Sequence, residues 1–158
     1  MKSLFDTKIS YYSNVEDNVG TEISLRDFLF CDKYKEQIEH IRSIKDEEQQ
    51  KSLKKQLPLA TISGTFAPTR KAENLVSHSN LLCVDIDKKD NMSVPWFDNL
   101  KHEWHNIPQV LYAAHSVRGE GSLPSSTLPI LKNIALISRL YNATLPIVDW
   151  WLTNPVRT

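Results

Sequence analysis

No stretch of this 158-residue chain is apolar for long enough to cross a bilayer, and its first residues lack the hydrophobic centre of a signal peptide. Both absences point away from a membrane and toward the cytoplasm. An excess of one charge is missing too, since 19 Lys and Arg balance 19 Asp and Glu. A neutral chain has no broad attraction for nucleic acid, although a local basic patch is still open to it. Cysteine is confined to Cys31 and Cys83, far apart and in apolar settings, which suits two reduced, buried thiols better than a bridge. No serine or cysteine stands in an activated arrangement. His102-Glu103-Trp104-His105 lacks the one-turn spacing of two zinc-binding histidines, and neither His40 nor His78 has a partner at metal-ligand spacing. What is present is 41% hydrophobic residues, enough for one core in a single α/β domain.

Along the chain, Lys8 to Ser13 is β-prone and reads as a first strand. Ser24 is placed to cap a short helix carrying Leu25, Phe28 and Leu29. A second helix starts near Tyr34 with Ile38, Ile41 and Ile44 as its apolar stripe. Asp46 to Lys55 reads as an exposed, charged helix anchored by Leu53 and Leu57, with its lysines as a solvated face, and Pro58 ends it. Leu59 to Phe66 follows as a strand that breaks at Gly64, and Arg70 to Asn80 is a polar lead-in to the next strand. Ser93 can cap a later helix with Pro95 early and Trp96, Phe97, Leu100 and Trp104 inward. Gln109 to Ala114 then forms another strand.

Two stretches carry chemistry. Leu81-Leu82-Cys83-Val84-Asp85-Ile86-Asp87 is an apolar strand that ends in an Asp-x-Asp pair. Alternation along a strand puts Asp85 and Asp87 on one face, with Val84 and Ile86 on the other. Two neighbouring carboxylates repel each other unless a cation lies between them, and a hard divalent ion held by carboxylates plus substrate phosphates meets that need. An acidic strand end running into a turn is the plainer reading of the same residues. The second stretch, Ser116-Val117-Arg118-Gly119-Glu120-Gly121, follows a strand. Its glycines allow close backbone approach, while Ser116 and Arg118 offer a hydroxyl and a guanidinium to phosphate. Taken alone, its Gly-x-Gly fits a hairpin turn equally well.

In order, Leu57 to Phe66, then Ser79 to Asn91, then Tyr112 to Gly121 resemble the VirE N-terminal domain of mobile-element proteins. That domain is similar to the archaeo-eukaryotic primase-polymerase superfamily. The resemblance covers roughly residues 5–121 and rests on three ordered motifs. It implies an α/β (α+β) fold with an RRM-like core, a mainly antiparallel sheet with helices packed on it. It implies Mg²⁺ or Mn²⁺ on Asp85 and Asp87 as the catalytic carboxylates, and a nucleotide held by Ser116, Arg118, Gly119 and Gly121. The partners implied are nucleotides and DNA, with a downstream ATPase or helicase-type domain in the intact protein. The activity implied is divalent-metal-dependent nucleotidyl transfer; the alternative is a non-catalytic module that binds nucleotides or single-stranded nucleic acid. Two departures stand out. Gly121 is followed by Ser122 and Leu123 where active relatives carry a histidine, and no later strand supplies a third carboxylate. Asp149 mimics that carboxylate only by chance.

The domain is therefore read as residues 1–121, followed by an irregular tail, 122–158. Ser122 to Pro129 is rich in serine and proline where the resemblance demands an apolar strand, and Ile130 to Thr158 has no clean period. Back-translated one base earlier, the tail yields an apolar strand, an amphipathic helix stopped by glycine, and a strand ending in aspartate. We read it as translated out of frame, which makes the chain a truncated and inactive fragment with an uncovered sheet edge. Sequencing the gene through the Gly121 codon should reveal an insertion or deletion that displaces the frame relative to close relatives; an undisturbed frame there rejects this reading.

Overall fold

A computed structural model describes residues 3–87, 104, 106–117 and 126–132. The N-terminal sheet has β1 (Lys8–Tyr12) at its centre, antiparallel to β2 (Thr21–Ser24) on one side and to β3 (Leu59–Thr61) on the other. Ile9 faces Ile23, and Tyr11 faces Thr21 and Ala60. A central strand is covered on both faces, and Ile9, Ser10 and Tyr12 are all buried. α1 (Leu25–Leu29) starts where β2 ends, and the Ser24 hydroxyl caps it by accepting from the Asp27 amide at 3.1 Å.

α2 (Lys35–Ser43) and α3 (Glu47–Lys54) form a helical pair. The isoleucine stripe holds, with Ile41 fully buried and Ile38 and Ile44 half-buried. Asp46 caps α3 through the Gln49 amide at 2.7 Å. Leu57 is buried as expected, but α3 also buries Gln50, which its charged sequence hides. The Gln50 Nε2 donates to the carbonyls of Ile41 at 3.0 Å and Ile44 at 2.8 Å. The Ile41 carbonyl also accepts from the Ile44 amide at 3.3 Å, so Gln50 adds a second bond there and takes the Ile44 carbonyl beyond the end of α2, closing one helix from within the next.

The break in the Leu59–Phe66 stretch falls at Ile62–Ser63, and Gly64 opens β4 (Gly64–Phe66), which pairs with β5 (Leu75–His78). A Cβ on Gly64 would run into the Ser77 carbonyl oxygen, so the close approach of these two strands requires glycine here. The buried Ser10 hydroxyl receives the Phe66 amide at 2.8 Å and ties β4 to the first sheet. Asn80, at φ +60°, turns the chain out of β5. The Ser79 hydroxyl donates to the Ile62 carbonyl at 2.6 Å and accepts from the Leu81 amide at 3.1 Å, fixing where β6 begins.

The second sheet holds β6 (Leu81–Cys83), β7 (Ile86–Asp87), β8 (Val110–His115) and β9 (Ser126–Lys132). β9 is central, with β6 and β7 end to end along one side of it and β8 along the other, all antiparallel to it. One core cluster, Ile9, Leu25, Ile62, Leu81 and Ile130, joins this sheet to β1 and α1. β9 lies within the segment that the sequence reading takes as irregular. Its Thr127-Leu128-Pro129-Ile130-Leu131 run is short but β-prone, and burial of Ile130 rewards the pairing. The helix expected after Ser93 lies outside the described residues, apart from a helical, half-buried Trp104.

The fold is thus mixed α/β, antiparallel sheets with three α-helices, and the described residues form no closed barrel. Among them no helix is long and apolar enough to cross a membrane. Both cysteines are free. Cys31 is exposed rather than buried because it sits in the loop between α1 and α2. Gln50→Ala should lower unfolding free energy by about 1–3 kcal/mol, the cost of leaving the Ile44 carbonyl without its partner, as read by urea denaturation. A change within error would mean that this carbonyl finds water.

Candidate functional site

The Asp-x-Asp strand and the strand that leads into Ser116 end at the same edge of the second sheet. β6 pairs Leu81 with Lys132 and Cys83 with Ile130; β7 pairs Ile86 with Thr127 and Asp87 with Ser126. The register is the same on both sides of the interruption, so no residue is inserted there. The unpaired step, Val84–Asp85, falls opposite Leu128 and Pro129, and proline has no N–H to give to a ladder. What the sequence reads as one strand is one strand, missing its middle hydrogen bonds.

β8 pairs with the other side of β9, His115 opposite Thr127. β7 and β8 therefore run parallel and finish at the same end, Asp87 beside Ser126 and His115 beside Thr127. Two strand spacings separate them, about 9–10 Å. Ser116, the first residue beyond β8, is buried. The Arg42 guanidinium from α2 reaches this exit, with Nε donating to the Val117 carbonyl at 3.1 Å and Nη2 to the Ser116 carbonyl at 3.3 Å.

Asp85 is exposed and takes part in interactions of its own. Of Asp87 the structure describes the backbone pairing. Arg118, Gly119 and Gly121 lie outside the described residues. Alternation puts Leu81, Cys83 and Asp85 on one face, so the carboxylate continues the face that carries the core. The Cys83 thiol registers both surroundings. Burial first, and then the charge of Asp85, push it up from 9.0 to about 11. Among the described residues no group of three or more His, Cys, Asp or Glu side chains could hold a metal ion. Oxygen donors at Asp85 and Asp87 suit a hard cation only when water or a ligand's phosphates complete its shell.

His78 is accounted for locally, since its Nδ1 accepts from the Asn80 amide at 2.9 Å. A hollow of about 480 Å³ lies beside the β8 exit, lined by Val117, Leu57, Pro58, Leu59, Lys51 and Lys55 among others; it includes neither Asp85 nor Ser116. Sequence reasoning did not single out Arg42. It is an exposed helix arginine, and its only distinguishing feature is a contact 75 residues away.

The family model described as BT4734-like, N-terminal domain matches residues 52–122. The matched stretch runs from within α3 to one residue past Gly121, so it includes Asp85, Asp87 and Ser116 but less than half of the chain. No curated protein and no solved structure matches this chain.

The Cys83 shift has a direct consequence. A thiol raised in the folded state adds stability that is fully present below its ordinary value of 9.0 and is lost as pH rises through about 11. At pH 8 a shift from 9.0 to about 11 leaves about a hundredfold less thiolate than an unperturbed cysteine would have. A maleimide or iodoacetamide time course at pH 8 should therefore show the exposed Cys31 consumed first and Cys83 much later. Asp85→Asn should speed the slow phase, and equal rates for the two thiols would contradict the placement of Cys83.

Proposed function

We propose that this end of the second sheet is the metal- and nucleotide-handling site of a domain related to the VirE N-terminal type and, through it, to primase-polymerases. The observation that carries the reading is the shared register on β9. It brings the exit of the Asp-x-Asp strand and the exit of β8 to one edge, a single strand apart. That separation, about 9–10 Å, is the scale of a nucleoside triphosphate's phosphate tail with its cation. In the intact protein a primer 3′-hydroxyl would attack the α-phosphorus and lose its proton to solvent, forming a phosphodiester bond and releasing pyrophosphate with the electron pair of the broken bond. A divalent ion, Mg²⁺ or Mn²⁺, would supply Lewis acidity and charge neutralisation there. Asp85 and Asp87 would hold it. Ser116, at the opposite flank, would offer its hydroxyl to a phosphate oxygen.

One observation favours a second reading, a nucleotide or single-stranded nucleic-acid binding module without catalysis. Gly121 is followed by Ser122 and Leu123 where active primase-polymerase relatives carry a histidine. Both readings belong to a mobile-element replication protein, and under both this chain by itself binds rather than turns over. The deciding measurement is triphosphate affinity with and without Mn²⁺. Asp85→Asn with Asp87→Asn should weaken Mn²⁺-dependent binding more than about tenfold, in line with losing metal ligands. Binding indifferent to both metal and substitution selects the binding module. No binding of triphosphate or nucleic acid under any condition rejects both.

A further inference from the structure

The exit of β8 is held by a side chain from a different layer of the fold. Arg42 sits in the last turn of α2 and donates to two consecutive carbonyls, Val117 at 3.1 Å and Ser116 at 3.3 Å. Consecutive carbonyls of an extended chain point in opposite directions, so a single guanidinium reaches both only where the backbone turns. Beyond the strand these carbonyls leave the ladder, and the planar fork of arginine fits two acceptors at a fixed separation in a way that the ammonium of lysine does not.

The holder is itself held. Ile41, next to Arg42 in sequence, is fully buried, and its carbonyl, like that of Ile44, is taken by the buried Gln50 amide. Arg42 therefore extends from a fixed helix end rather than from a free surface helix. Val117 also lines the hollow together with Lys51 and Lys54 of α3.

We propose that Arg42 is a positioning residue, one that sets the direction in which the chain leaves β8 and thereby aims Ser116 at a bound phosphate. This rests on the functional reading above, although its structural half does not. Its hydrogen bonds to the Ser116 and Val117 carbonyls lie on the β8 flank, across β9 from the Asp-x-Asp strand, so its effect should fall on nucleotide affinity and leave metal affinity alone.

The test uses Arg42→Ala and Arg42→Lys in the full chain. Hydrogen exchange would be followed on a peptide covering residues 110–117, with Mn²⁺ and ATP binding measured separately. Arg42→Ala should speed exchange at the β8 exit severalfold, weaken ATP about tenfold, as expected for two lost hydrogen bonds, and leave Mn²⁺ affinity unchanged. Arg42→Lys keeps the charge but loses the fork, and should recover only part of the ATP affinity. Unchanged exchange in Arg42→Ala, or full recovery by Arg42→Lys, overturns the proposal. A wild-type chain that binds no ATP defeats the functional reading, and exchange alone then decides whether Arg42 positions the exit.

Discussion

Everything at the candidate site depends on β9 forming hydrogen bonds along both of its sides. β6 and β7 reach it from one direction and β8 from the other, and no described pairing joins β6 or β7 to β8 directly. Remove β9 and the Asp-x-Asp strand and the Ser116 exit have no common frame. The constraint is a backbone one, which makes it tolerant of side-chain identity but intolerant of a missing N–H. Pro129 is therefore an unusual residue for the middle of a sheet, where proline removes a ladder bond. Opposite it the ladder opens at Val84–Asp85, and pairing resumes in the same register at Ile86.

Two further ties set the sheet against the rest of the molecule. Ile130 of β9 and Leu81 of β6 share a core with Ile9, Leu25 and Ile62, so the second sheet is packed on the first rather than merely linked to it. Arg42 then joins the helical pair to the far end of β8. The apolar tie is non-directional and fixes distance; the guanidinium is directional and fixes where a backbone turns. A site spread over two strand ends needs both, since packing alone would leave the exit of β8 free to swing.

The sequence made some of this plain and concealed the rest for physical reasons. Ser24 and Asp46 were legible as helix caps because capping depends on a few adjacent residues. The isoleucine stripe of α2 and the Leu81–Asp87 strand were legible because each has one face turned to the core. β5 was missed, having no apolar face to reveal it: every one of its residues is exposed. Gln50 was hidden because a glutamine among charged residues looks solvated until two carbonyls are brought to it. The residues alone marked the two stretches separately, and only the resemblance implied a shared site; the strand between them, β9, was missed because it lies in a stretch broken by proline and serine.

β9 also bears on the reading of the tail. Strand pairing is satisfied largely by main-chain groups, so a β-prone run arriving after β8 can fill the central slot in either reading frame. Side-chain detail is where the frames differ. In the given frame the slot is filled by a strand with proline opposite Val84, and the cost is an opened ladder beside Asp85. If the tail is out of frame, as the sequence reading expects, a strand without proline opposite Val84 would leave the ladder unbroken beside Asp85. The family match ends at residue 122, one residue past Gly121. If the shifted frame is the ancestral one, the interruption between β6 and β7 belongs to this chain alone, and a relative with an unbroken frame should carry both aspartates on one continuous strand.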